Sequence, residues 1–265
     1  MRTVLICHHD EPLNRFGLAR WMASFSDLAA IIDIHEPPAR LWRRIRREIQ
    51  RAGFVRFLDV LAFRFYYRFA LARKDDAWTQ QKLVELNGQY PEIPASCRVL
   101  ITHSPNSPEC MSLLRELRPD IILARCKSIL KRDVFRSASV GTFVMHPGIC
   151  PEYRNAHGCF WALAENDLGR VGMTLLKIDE GVDTGPVYGY YGCSFDETQE
   201  SHIVIQDRVV FDNLAALRAK FEEIQAGSAQ TIDTSGRTSR AWGQPWLSRY
   251  LKWKDAARKR AQGTV

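Results

Sequence analysis

Apolar residues come in short blocks along this chain, and their spacing alternates between two periods. Residues 3–7 (TVLIC) and 28–34 (LAAIIDI) are runs of the length of buried strands, and 12–25 between them carries helical spacing. That β-α-β opening predicts a parallel sheet. The alternation resumes with strands at 99–102, 120–125 and 140–145, and with a helix at 108–117 that Ser107 caps just ahead of Pro108. Further strands are expected at 172–178 and 186–191. A helix over 203–224 places Val210, Leu214, Leu217, Phe221 and Ile224 on one face and stops at Gly227. The pattern predicts a doubly wound α/β domain.

Two segments break this rhythm. After Pro37 and Pro38, Leu41, Ile45 and Ile49 recur one helical turn apart among Arg43, Arg44, Arg46, Arg47 and Arg51, the pattern of an amphipathic basic helix from Arg40 to Arg51. Its plainer reading is a solvated face with its apolar stripe on the domain, ahead of a tRNA or anionic-membrane contact. Gly53 punctuates, 54–73 is apolar and aromatic, and 75–88 is polar and helical. Residues 36–96 therefore read as a helical insertion in a domain spanning 1–227, and 228–265 as a basic extension packed down by Trp242, Trp246, Tyr250 and Trp253.

Composition narrows the function classes. With 265 residues, 46% of them hydrophobic, the chain can bury a full core. A formal charge of +7 favours anionic partners, whether a phosphorylated small molecule, a polyglutamylated cofactor, nucleic acid or a membrane surface. The most apolar stretch, 55–72, is broken by Arg56, Asp59, Arg64 and Arg68, whereas a spanning helix needs ~20 largely uncharged residues. The opening MRTVLICHHD lacks the features of a signal peptide, so a cytoplasmic location is expected. Seven cysteines, an odd number without a C-x-x-C pair, predict free thiols and no zinc. Neither a G-x-G-x-x-G nor a G-x-x-x-x-G-K-[ST] is present, which removes the usual sequence support for nicotinamide or ATP chemistry.

Candidate chemistry concentrates between Val144 and Pro186. His146 follows a predicted strand, at the carboxyl edge where open α/β sheets bind ligands. Asp183 lies between Gly181 and Gly185, where the backbone can turn tightly and bring a carboxylate to a histidine. Alone, each reads as a loop histidine or a turn former; together they point to acid-base chemistry. Near the first strand, His8, His9 and Asp10 form a run that suggests a metal, but neighbours on one loop seldom converge on an ion without further ligands. No metal is expected there.

The block resembles the folate-dependent formyltransferases, which include glycinamide ribonucleotide transformylase, methionyl-tRNA formyltransferase and the amino-sugar N-formyltransferases. The resemblance is carried by His146-Pro147-Gly148, Pro151-Glu152-Tyr153-Arg154, Trp161-Ala162-Leu163, Gly172-Met173-Thr174 and the run from Asp179 to Gly185. It implies a Rossmann-like formyltransferase domain with a mostly parallel sheet, here with a helical insertion and a short C-terminal extension. It also implies 10-formyltetrahydrofolate as formyl donor and His146 and Asp183 as catalytic residues. The family's catalytic Asn, two residues before the histidine, is replaced here by Val144. Loss of one oxyanion donor costs ~3 kcal/mol, or roughly a hundred- to a thousand-fold in rate. Asn155 and His157 are the candidate substitutes, with a left-handed backbone as the alternative reason for Asn155.

The resemblance further assigns Ile129, Leu130, Asp179, Gly181 and Val182 to the cofactor, and His8, His9, Asn14, Tyr153 and Arg154 to the acceptor. The implied reaction is formyl transfer to a primary amine of a small anionic acceptor. An amino-sugar nucleotide is preferred over a diamino acid or natural-product amine because the charge suits phosphates. The length leaves no room for the separate C-terminal β-domain of methionyl-tRNA formyltransferases and exceeds that of the purine enzyme, so neither activity is expected. Nor is a nucleic-acid partner, and a homodimer is compatible. The alternatives are a catalytically impaired folate- or nucleotide-binding homologue and a 10-formyltetrahydrofolate hydrolase.

Overall fold

The computed structural model describes residues 1–36, 50 and 53–263. The basic helix expected from Arg40 to Arg51 therefore lies essentially outside the described residues. Among the described residues, seven strands form one sheet: β1 (Arg2–His8), β2 (Asp27–Ile34), β3 (Arg98–Thr102), β4 (Ile121–Arg125), β5 (Gly141–His146), β6 (Met173–Lys177) and β7 (Val187–Tyr191). Their order is β3-β2-β1-β4-β5-β6-β7. The first five are mutually parallel, and β6 and β7 continue the sheet antiparallel.

Alternation along each strand divides the core. Leu5 and Cys7 of β1 join Ile31, Leu123, Phe143 and Met145 on one face, and Val4 and Ile6 join Ile32, Ile122 and Ala124 on the other. The first face is covered by the helical segments Leu13–Leu18 and Ala19–Ala23 and by the helices His202–Phe211 and Leu214–Gln225. The second is covered by Pro108–Leu117, whose cap is the Ser107 hydroxyl accepting from the Cys110 N–H, and by Arg132–Phe135.

Two expectations need correction in detail. The helix expected at 203–224 is two helices broken at Asp212 and Asn213, where the Asn213 amide donates to the carbonyls of Gly192 and Val209. A side chain that bonds nearby backbone competes with the helical ladder, and periodicity cannot register that. The helix expected at 12–25 is split between a wide-turn segment and a regular turn.

Residues 54–89 run as Phe54–Tyr66, a wide-turn segment Tyr67–Leu71 and Ala72–Gln89. Phe63 reaches a third, aromatic cluster with Phe160, Trp161, Tyr250 and Trp253. Buried Asp75 accepts a 2.6 Å hydrogen bond from Ser201 at the cap of the helix His202–Phe211. The last helix, Leu247–Ala261, supplies Tyr250 and Trp253 to this cluster, and Trp242 stacks between Tyr153 and Trp161. No helix among the described residues is long and apolar enough to cross a membrane.

Candidate active site

Strand order changes direction between β1 and β4, the position at which open α/β sheets take ligands in a crevice beyond the carboxyl ends of the strands. His8 ends β1, Arg125 ends β4 and His146 ends β5. Sheet register therefore gathers residues more than a hundred positions apart in sequence.

His146 is buried, and its two ring nitrogens have different partners. Nε2 donates to the Tyr153 carbonyl at 2.8 Å, whereas Nδ1 lies 3.5 Å from Asp183 Oδ1, beyond a formed hydrogen bond. A carbonyl can only accept, so Nε2 carries a hydrogen and Nδ1 is the nitrogen with room for another partner. Two glycines allow this approach. A Cβ on Gly158 would stand 2.5 Å from Gly148 Cα and 2.7 Å from the Pro147 carbonyl, and one on Gly148 would stand 3.1 Å from His146 Nε2. On β6, the Thr174 hydroxyl fixes the same turn by donating to Gly148 O at 2.6 Å and accepting from Cys150 N–H at 2.9 Å.

Asp183 has φ 53° and Asn155 φ 80°, both left-handed, a region that Asn and Asp tolerate best among non-glycine residues. The Asn155 N–H donates to Asp183 Oδ2 at 2.8 Å, and Arg154 donates to the Val182 carbonyl at 2.9 Å. The Asp179 carboxylate closes its own loop, accepting from the Gly181 N–H at 3.0 Å and the Thr184 hydroxyl at 2.8 Å. Glu180 pairs with Arg132 and Arg136, which sets the segment after β4 beside this loop.

A charged chain borders the crevice. Lys127 pairs with Glu11 at 2.7 Å, Glu11 accepts from the Asn14 amide at 2.7 Å, and the Asn14 oxygen accepts from Arg125, which also donates to the Met145 carbonyl just before His146. Burial alone would raise Glu11, yet Lys127, Arg125 and Asn14 together hold it below its ordinary value. Burial lowers His8, which favours the neutral ring that accepts from the Lys127 N–H at 2.9 Å. Sequence reading missed Glu11, Arg125 and Lys127; the change of strand direction beside β4 was the available signal.

Several expected roles change with the geometry. The Tyr153 ring stacks on Trp242 and its hydroxyl donates to Asp167 at 2.9 Å, so what it offers the site is its carbonyl, not its side chain. The Asn155 amide donates to the Trp242 carbonyl at 2.6 Å and its oxygen accepts from the Ala156 N–H at 2.9 Å, so the left-handed backbone, not a free donor, accounts for it. His157 precedes the helix Gly158–Ala164; its Nδ1 is buried without a partner, and burial pushes its pKa down to about 4, leaving a neutral ring. Leu130 is core, packed with Val134 and Phe135, while Ile129 and Val182 are exposed. Val144, on the same face of β5 as His146, packs against Cys150, Leu176 and Val187. His9 leaves the crevice to pair with Asp33 of β2.

Comparison with known proteins places the chain in a family. A formyl transferase family model matches residues 72–219, more than half of the chain. The chain is 40% identical over 85 residues to a methionyl-tRNA formyltransferase from Kosmotoga olearia, a stretch covering 32% of this chain and only 27% of that protein. Two solved structures share the fold at 14% identity. A sugar N-formyltransferase from Shewanella sp. superposes with a TM-score of 0.53 over 92% of this chain and 77% of its own. A phosphoribosylglycinamide formyltransferase from Anaplasma phagocytophilum gives 0.54 over 92% and 99%.

Proposed function

Because this chain belongs to the formyl transferase family, we propose that it moves a formyl group from 10-formyltetrahydrofolate to a primary amine on a small anionic acceptor, an amino-sugar nucleotide being the preferred class. The observation that carries this reading is the buried His146 beside Asp183, with Nε2 fixed on a backbone carbonyl and Nδ1 held 3.5 Å from the carboxylate.

The donor would supply the formyl carbon. Its ring is assigned to the side of the crevice with exposed Ile129 and Val182, and Lys131, Arg132 and Arg136 offer charge to an anionic tail. Attack by the amine nitrogen forms the new C–N bond and places negative charge on the formyl oxygen. The His146 ring, at Nδ1, would stabilise that charge, and Asp183 would orient the ring and take the proton shed by the amine; collapse of the adduct would then break the bond between the formyl carbon and the donor nitrogen, which leaves as tetrahydrofolate with that proton. Arg125 and Lys127 suit the phosphates of a nucleotide acceptor.

A second reading is a homologue that binds donor or nucleotide without turnover. It is favoured by Val144 together with the occupied Asn155 amide, which leave the oxyanion without the family's amide donor. Calorimetry with a stable donor analogue, followed by single-turnover assays over a panel of amines, separates the two. The first reading expects saturable binding and amine-dependent transfer that His146→Ala abolishes. Binding without transfer selects the second, and no binding at millimolar analogue overturns the first and the donor-binding form of the second.

A further inference from the structure

We propose that the paired ends of β1 and β2 form a binding site for one divalent transition-metal ion of the zinc class, with His9, Asp33 and His35 as ligands. It stands independently of the formyl-transfer reading. The His-His-Asp run after β1 lacks further ligands of its own, and the neighbouring strand supplies them.

Register explains why. Cys7 pairs with Asp33 and His8 with Ile34, so His9 comes level with His35, while Asp33 and His35 share a face two residues apart. The His9 N–H donates to Ile34 O at 3.1 Å and the His35 N–H to Thr102 O at 2.8 Å, so both histidines sit on backbone that extends the sheet. His9 Nδ1 lies 3.0 Å and His35 Nε2 3.6 Å from Asp33 Oδ2, and one ligand atom from each residue falls within 4.8 Å of the others. An ion with metal–ligand bonds of ~2.0–2.2 Å in tetrahedral geometry sets its ligand atoms about 3.4 Å apart, close to the separations already present.

Two polar atoms here lack partners. Asp33 is fully buried yet its Oδ1 accepts nothing, and the buried His35 Nε2 has no hydrogen-bond partner. Buried polar groups are almost always paired, so two orphans on one three-residue cluster call for a ligand. A cation gives His35 Nε2 a partner and compensates the buried carboxylate. An anion is disfavoured because Asp33 sits at the centre. Two imidazoles and one carboxylate, with His9 half-exposed toward solvent, make a three-ligand set with an open position.

Arg15 is the competing partner. Its Nε lies 3.0 Å from the same Asp33 Oδ2, where it balances the carboxylate and would repel an arriving ion. The proposal therefore makes opposite predictions for neighbouring residues: removing a ligand weakens binding, and removing Arg15 strengthens it.

The test is titration of the untagged full chain with Co²⁺, followed by visible absorption and calorimetry, with Zn²⁺ as competitor. One Co²⁺ per chain is expected, with ligand-field bands and no thiolate charge-transfer band, displaced by Zn²⁺. His9→Ala and His35→Ala each weaken binding by more than about tenfold, the range that even supporting residues around metals command. Arg15→Gln tightens it. Asp33→Asn should abolish it, and because Asp33 is buried the two histidine variants carry the test if that protein does not fold. Absent binding at millimolar ion, a thiolate band, unchanged affinity in both histidine variants, or weaker binding in Arg15→Gln would each overturn the site.

Discussion

The backbone N–H of Asn155 donates to Asp183 Oδ2 at 2.8 Å, joining two left-handed residues from loops 28 positions apart. What Asn155 contributes through this bond does not depend on its side chain. Its amide, held by Trp242 O and the Ala156 N–H, secures the conformation that aims the N–H.

A substitution pair tests that division. Asn155→Ala removes the amide and places a Cβ-bearing residue that tolerates φ 80° poorly, so activity and stability should fall together, stability by about 1–2 kcal/mol. Asn155→Gly keeps the left-handed backbone and should recover most of the activity in steady-state assays. Equal loss of kcat in both variants, with stability retained, would instead assign the amide to the reaction.

Crowding behind His146 makes a second prediction. Gly158→Ala places a Cβ 2.5 Å from Gly148 Cα and 2.7 Å from Pro147 O, both backbone positions that cannot yield by rotamer change. The turn must move, and with it the Tyr153 carbonyl that holds Nε2. Overpacking of this kind costs about 1–3 kcal/mol, and kcat should fall further than stability alone explains. Gly169→Ala, with nothing within 4 Å of the added carbon, is the control expected to change neither quantity.

Val144 invites the reverse experiment. It lies on the same face of β5 as His146, half-buried against Cys150, Leu176 and Val187. If the site lacks only a donor, Val144→Asn should raise kcat toward the ~100-fold or more that one oxyanion donor supplies. A fall in kcat, with the protein still folded by circular dichroism, would mean that the apolar contact with Leu176 and Val187 shapes a rearranged site.

Much of this was legible because strand and histidine signals are local. Short apolar runs located all seven strands, and Ser107 before Pro108 fixed a helix start. The resemblance between 144 and 186 identified the family that residues 72–219 match. What the sequence hid depends on register and rotamer. Nothing local tells that the Tyr153 ring turns onto Trp242, 89 positions away, leaving only its carbonyl for His146. Nor does spacing bring His9 beside Asp33, because that pairing exists only once β1 and β2 lie in register. The Asn213 break escaped for a related reason, since its bond to Gly192 O reaches across the fold.

His157 gives a prediction in pH. Burial lowers it from an ordinary 6.5 to about 4, so between these values the unfolded chain binds a proton that the folded chain does not. Stability from the neutral ring is thus fully present above pH 6.5 and is lost as pH falls toward 4, by up to about 3 kcal/mol. Raw stability will not isolate this, because Asp207, raised by burial to about 7, contributes with the opposite sign over much of the same range. The comparison of parent with His157→Gln does isolate it. Urea unfolding at steps from pH 7 to pH 4 should show the parent losing its advantage over the variant as acid is added. A constant difference would mean that the ring titrates alike in both states and is not held neutral by burial.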